Sequence, residues 1–317
     1  MELLKDNVSS HRYFILGGLD ELGGLRPVLS VPFLVLLVVS LAANSLLLYV
    51  VVSRRSLHSP MCLLIACMAG VDLSLPLIFI PNVLLGVWLD LKGISLIGCL
   101  VQMYLLHFLG SCQSTLLLCM ALDRYFAICT PLCYHERMSL PGFLRFVIPL
   151  LLRNVVVVLA VVVLAGSLSF CSRREINHCF CEHMALVELA CGSTDVNSLV
   201  GLVSVFLVPV LDFLLITASY VLIFRSVLRS GKSASKALHT CVTHIIVMLV
   251  SLTFVLTAFL SYRVRDGLPA AGRVVVSIVY LSVPSCFNPI IYGLRTTEIR
   301  QNILKMLPSR SLVQTVN

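Results

Sequence analysis

Between Pro27 and Ser53 the chain carries no Asp, Glu, Lys or Arg, and six later stretches repeat that near-absence of charge. Ser56 to Leu89 holds only Asp72, Gly93 to Leu122 holds none, and Phe146 to Ser172 holds Arg153 alone. Val196 to Phe224 holds Asp212 alone, while Ala237 to Tyr262 and Val274 to Leu294 are charge-free. A helix needs roughly 20 mostly apolar residues to cross a bilayer, and each stretch is long enough. With 59% hydrophobic and 12% charged residues, the chain lacks the charge that keeps a soluble domain of this length wet. The expected fold is an all-α integral membrane protein, a bundle of seven transmembrane helices.

The placement of Lys and Arg orients the bundle. With the amino terminus outside, inner segments carry 13 basic residues and outer segments 9, leaving Arg153 within the membrane. An extracellular tail (1–26), a seven-helix domain (27–294) and a short cytoplasmic tail (295–317) follow. The helices are expected near 27–53, 57–87, 94–129, 142–170, 196–226, 236–262 and 272–294. The first 26 residues lack the compact apolar run of a cleavable signal, so the first helix is expected to act as signal-anchor. Asn7-Val8-Ser9 is a glycosylation acceptor on the lumenal side. Cys99, Cys171, Cys179, Cys181 and Cys191 crowd into outer segments, where an oxidising compartment favours disulfides over a metal site with His178 and His183. The other cysteines read as small buried hydrophobes, with Cys129 and Cys133 as candidate palmitoylation sites. The pI of 8.9 arises from basic residues scattered between apolar runs, which points to anionic inner-leaflet lipid and away from nucleic acid.

Polar groups inside a span are costly and mark function or inter-helix glue. Asn44, Asp72 and Asn288 each interrupt a different apolar run. At the inner end of the third span, Asp123 and Arg124 are adjacent. Asp123 can neutralise Arg124 in one arrangement, and in another Arg124 can reach the cytoplasm or Tyr220 on helix five, as a bistable switch requires. The plain alternative is an interfacial pair reaching into headgroups.

Longer motifs give this chain a family likeness. "MALDRYFAICTPLCY" (Met120 to Tyr134) resembles the odorant-receptor form of the third helix end. "KALHTCVTHI" (Lys236 to Ile245) and "PSCFNPIIYGLR" (Pro284 to Arg295) are similar to that family's sixth and seventh helices. Ala43-Asn44 in helix one and "LHSPM" (Leu57 to Met61) at the start of helix two agree, so the resemblance covers nearly the whole chain. "CEHM" (Cys181 to Met184), "LAC" (Leu189 to Cys191) and His107 resemble the fish-like, class I subgroup of these rhodopsin-like, G-protein-coupled receptors. The resemblance implies disulfides Cys99–Cys181 and Cys171–Cys191, leaving Cys179 unpaired. It also implies switch roles for Asp123, Arg124, Tyr125, His244, Asn288, Pro289 and Tyr292. Three positions depart from the family pattern: Leu122 replaces an aromatic, Gln113 replaces a Glu, and "SLTFVLT" (Ser251 to Thr257) lacks a Phe-Tyr pair. A sodium-type site around Asp72 would thereby lose one carboxylate.

The ligand pocket is expected among helices three, five, six and seven, below the second outer loop. Helix phase nominates Leu106, Gly110, Val203, Phe206, Val255, Phe259, Ile278 and Leu281 as its walls, with His107 and Arg263 as polar anchors. A guanidinium grips a carboxylate through two parallel hydrogen bonds, so small carboxylic acids or other polar, water-soluble odorants are the expected ligands. Arg263 also reads as a membrane-flanking charge beside Arg265, and His107 as a packing histidine. The expected partners are a small-molecule odorant, the lipid bilayer and a stimulatory olfactory-type G protein that raises cyclic AMP, with Arg225, Arg229, Lys232 and Lys236 within its reach. No cofactor, metal or nucleic acid is expected. The expected location is the plasma membrane of an olfactory sensory neuron. A metabolite receptor in another tissue shares the fold, and a transporter would show internal repeats that are absent here. No nucleophile–base–acid set or phosphate loop suggests an enzyme.

Overall fold

A computed structural model describes residues 12–171, 173–230, 235–261 and 269–306. Seven long helices dominate it: helix one (Arg26–Ser53), two (Pro60–Leu89), three (Leu96–Cys129), four (Leu140–Gly166), five (Asp195–Ser230), six (Ser235–Ser261) and seven (Ala270–Arg295). Six are long and apolar enough to cross a membrane, and helix six adds the apolar stretch Ile245–Ser261. In hydrocarbon every backbone N–H and C=O must be satisfied within its own segment, which is why these runs become helices. Their starts are set by short polar side chains. Ser59, Ser95 and Ser139 accept hydrogen bonds from the backbone N–H of Cys62, Gly98 and Gly142. Pro60 follows the first of these caps, at a helical position where its missing N–H costs nothing.

Some bounds differ from those the sequence suggests. Helix two begins at Pro60, because residues 55–57 form a separate 3-10 turn. Helix four stops at Gly166, and Phe170 leaves it to bridge Ala190 in the loop. Helix five is not uniform: Asp195–Val205 is α, Phe206–Val210 is a π turn, and Leu211–Ser230 is α again. Pro209 sits inside the π turn, where the wider spacing accommodates a residue with no N–H to give.

Both tails contain ordered structure that an apolar-run reading cannot see. Tyr13–Leu16 forms strand β1, which pairs antiparallel with β2 (Gly93–Ser95) and parallel with β3 (Glu175–Ile176). This three-stranded sheet has β1 at its centre. Phe14 is buried edge-on against Phe170 at 5.1 Å, which ties the sheet to the end of helix four. At the other end, the amphipathic helix Thr297–Met306 follows helix seven and buries Ile299.

Helix three is the hub, packing against helices two, four and five and touching helix six. One core cluster fills the inner half of the bundle, from Leu47 and Met68 to Tyr220 and Tyr292. A second sits in the outer half, around Phe79, Leu106 and Ile278. A third joins helices three and four to the sheet and outer loop.

Candidate functional site

A cavity of about 210 Å³ opens among helices three to seven beneath the second outer loop. Leu106, His107 and Gly110 line it from helix three, Val255 and Phe259 from helix six, and Leu281 from helix seven, as the helix phase suggests. Three nominated walls lie elsewhere. Val203 and Phe206 point outward, 42% and 57% exposed, while Gly201, Ser204, Val205, Val208 and Pro209 face the cavity. A helix apolar all round offers no stripe to phase by. In a bundle the small and hydroxylic residues turn inward and the bulkiest apolar ones meet lipid. Ile278 is buried in the outer core cluster and is not among the residues that line the cavity. Arg263 and Asn7 lie outside the described residues, as does the side chain of His244 on helix six.

The roof is a rigid loop. Cys181 is bonded to Cys99 at the start of helix three, and Cys171 to Cys191, with Cα separations of 5.3 and 5.5 Å. The N–H of Cys181 donates to Gln102 Oε1 at 2.9 Å, and Gln102 Nε2 donates to the carbonyl of Ile78 at 3.1 Å. Glu182, His183 and Met184 are thereby held at the cavity wall. Burial pushes the Glu182 carboxyl up to about 7, against the pull of the backbone N–H groups of Ala185 and Met184. Cys179 is a buried free thiol, raised by that burial, and burial drives the His178 imidazole down to about 3.

At the inner part of the cavity, where Gln113 and Asn288 line it, three of the polar residues the sequence singles out meet at one point. Gln113 Nε2 and Asn288 Nδ2 donate to the two oxygens of Asp72, the second at 3.0 Å. Asn44 donates to the carbonyl of Ser285 at 2.8 Å and to that of Ser40 at 2.9 Å. Ser40 in turn donates to the carbonyl of Asp72 at 3.1 Å. Helices one, two, three and seven are stitched together there, and Gln113 acts as a donor where a Glu would bring a second negative charge.

Sequence reasoning leaves Arg153 and Asp212 as isolated oddities. The structure joins them: Arg153 Nη1 lies 2.6 Å from Asp212 Oδ1, and Ser114 donates to Asp212 Oδ2 at 2.9 Å. Asn154 accepts from Arg153 at 3.0 Å and donates to Thr115 at 2.9 Å. The only signal available beforehand was complementary charge, one unpaired base in span four and one unpaired acid in span five.

At the inner end of helix three, Arg124 Nε donates to Asp123 Oδ2 at 2.9 Å. Asp123 is fully buried, and its other oxygen accepts from the Tyr134 hydroxyl at 2.9 Å. Tyr134 belongs to the short helix Tyr134–Arg137 and was not anticipated. Burial, then the charge of Asp123, lifts its phenol to about 12, so it stays a donor. Tyr220 and Tyr292 are buried in the inner core cluster, and Tyr125 packs against that cluster. Pro289 follows Asn288 inside helix seven.

Seven apolar helices, a loop-roofed cavity on the outer side and an ion pair at the inner end of the central helix define a multi-pass membrane receptor of the seven-helix class. A family model for the olfactory receptors matches residues 33–310. The chain is 36% identical over 295 residues to olfactory receptor 56B34 of Mus musculus, covering 92% of each. It is 34% identical over 309 residues to olfactory receptor 51F2 of Homo sapiens, covering 97% of this chain and 90% of that one. It is also 34% identical over 314 residues to olfactory receptor 52K1 of Homo sapiens, covering 98% and 100%. The chain belongs to the olfactory receptor family, and it is a receptor and not an enzyme.

Proposed function

We propose that this receptor binds a small carboxylic acid, or another polar water-soluble odorant, in the cavity below the outer loop. Binding shifts the bundle toward a form in which Arg124 exchanges Asp123 for a stimulatory olfactory-type G protein, raising cyclic AMP in an olfactory sensory neuron. The observation that carries this reading is the lining of the cavity: mostly apolar walls, with the His107 imidazole exposed into them. An apolar pocket with a few convergent polar groups suits one small organic molecule, and a volume of about 210 Å³ lies below the ~300–1,000 Å³ of drug-sized sites. His107 lies 17 residues outward of Arg124 on the same helix, roughly 25 Å at 1.5 Å per residue. Coupling across that distance follows from population shift: a ligand that prefers one arrangement of the bundle favours it.

Arg263 is the expected grip on the ligand's carboxylate. In a cyclic AMP reporter assay, short straight-chain acids activate the wild type, and Arg263→Ala loses potency by about tenfold or more, the value of a charge-assisted bidentate pair. An unchanged potency removes Arg263 from the site. Arg124→Ala reaches the cell surface and fails to signal with any agonist, and a full response in that variant contradicts the switch.

A further inference from the structure

We propose that Tyr280 and Gly110 together form a bar across the cavity that sets the length of the ligand and gives it a second polar contact. The inference deepens the small-ligand reading above and rests on it.

Tyr280 belongs to helix seven and Gly110 to helix three, and both line the cavity. A Cβ built on Gly110 would lie 3.1 Å from the Tyr280 hydroxyl oxygen and would meet nothing else within 4 Å. The phenol therefore reaches from helix seven to helix three and ends in the space left by the missing side chain. The hydroxyl makes no hydrogen bond among the described residues, so its donor and its acceptor are both available to a ligand.

Depth along helix three gives the bar its meaning. His107 lies one turn outward of Gly110, and Gln113 and Leu117 lie one and two turns inward, all lining the same cavity. From Gly110 to Leu117 is roughly 10 Å of helix rise. The phenol thus stands between an outer chamber that holds His107 and an inner one lined by Gln113, Leu117 and Asn288. The Gln113 and Asn288 amides are already committed to Asp72. A ligand whose polar end sits in the outer chamber has its tail stopped at the ring, or passes beside it only where Gly110 leaves room. The ring thereby also keeps ligands away from the Asp72 cluster.

The test is a potency profile over two homologous series, straight-chain alkanoic acids from acetate to decanoate and 1-alkanols from ethanol to decanol. Cyclic AMP output is read together with surface expression. Each methylene that gains an apolar chamber is worth roughly fourfold in affinity. Tyr280→Ala opens the inner chamber and moves the optimum to longer chains, raising potency at the long end by about fourfold for each methylene admitted. Gly110→Val fills the slot and moves the optimum to shorter chains. Should that variant not reach the surface, Gly110→Ala carries the same expectation with a smaller shift. Tyr280→Phe keeps the ring, so the length optimum stays while potency falls severalfold. An unchanged length optimum in both Tyr280→Ala and the Gly110 variant, at wild-type surface expression, overturns the bar. If alcohols activate and acids do not, the carboxylate reading fails, and the bar is judged on the alcohol series. A wild type silent to both series overturns the length gauge and the small-ligand reading beneath it.

Discussion

Asp72 and Asp212 are both fully buried within the bundle, yet the protein accommodates them in different ways. Asp212 receives a counter-ion: Arg153 approaches both of its oxygens, and Ser114 adds a hydroxyl donor. Asp72 receives the side-chain amides of Gln113 and Asn288. A guanidinium cancels charge wherever the pair moves as a unit, so this cluster fixes helices three, four and five to one another. Amides cancel nothing. They stabilise a carboxylate only while two other helices hold their dipoles on it, so the Asp72 cluster depends on the register of helices two, three and seven. One half of the bundle is fastened by charge and the other by alignment. A receptor that must rearrange is better served by placing the second kind where motion is needed.

The sharpest way to break this contrast is to remove one partner of the charged pair. Arg153→Leu leaves Asp212 buried without a counter-ion, at a cost of about 3–5 kcal/mol, and surface expression should collapse. The double variant Arg153→Leu with Asp212→Leu removes both charges and should recover most of the expression. A double variant no better than the single one refutes the pairing as the source of the loss. A smaller effect is expected at the other carboxylate. Gln113→Leu removes one hydrogen bond to Asp72, worth about 1.5–3 kcal/mol. Its readout is altered basal signalling with the protein still at the surface, because the cluster reports register more than folding. Loss of expression equal to that of Arg153→Leu would erase the distinction between the two sites. The smallest effect belongs to Tyr134→Phe. Removing one donor from Asp123, which keeps its Arg124 partner, costs about 1.5 kcal/mol, loosens the resting pair and should raise ligand-free cyclic AMP severalfold. A basal level identical to wild type would mean that Tyr134 is a bystander.

The helices and the polar residues at their centres were legible in the sequence, because charge-free runs and the rare polar residues within them follow directly from the cost of burial in lipid. Asn44, Asp72 and Asn288 stand out for that reason, and the structure brings them into one network through Ser40 and Ser285. Facing was less legible. The outer half of helix five is apolar on every side, so Val203 and Phe206 look as fit for a pocket as Val205 and Val208, and only Gly201 and Ser204 mark the inner face. The Arg153–Asp212 pair needed knowledge of which helices are neighbours, which charge alone does not supply. Strand β1 was invisible for a similar reason. Four residues beside a run of glycines and charges become a strand only when two distant loop segments supply partners for their backbone groups.

That strand has a consequence for how the receptor is made. Leu16 pairs with Ile176, and four membrane helices lie between them in the chain. The middle of the sheet is therefore synthesised long before its last edge: β1 can meet β2 once helix two is made, but β3 only after helix four. Closure of the outer cap is thus a late event in chain synthesis, complete only once residue 176 has been made.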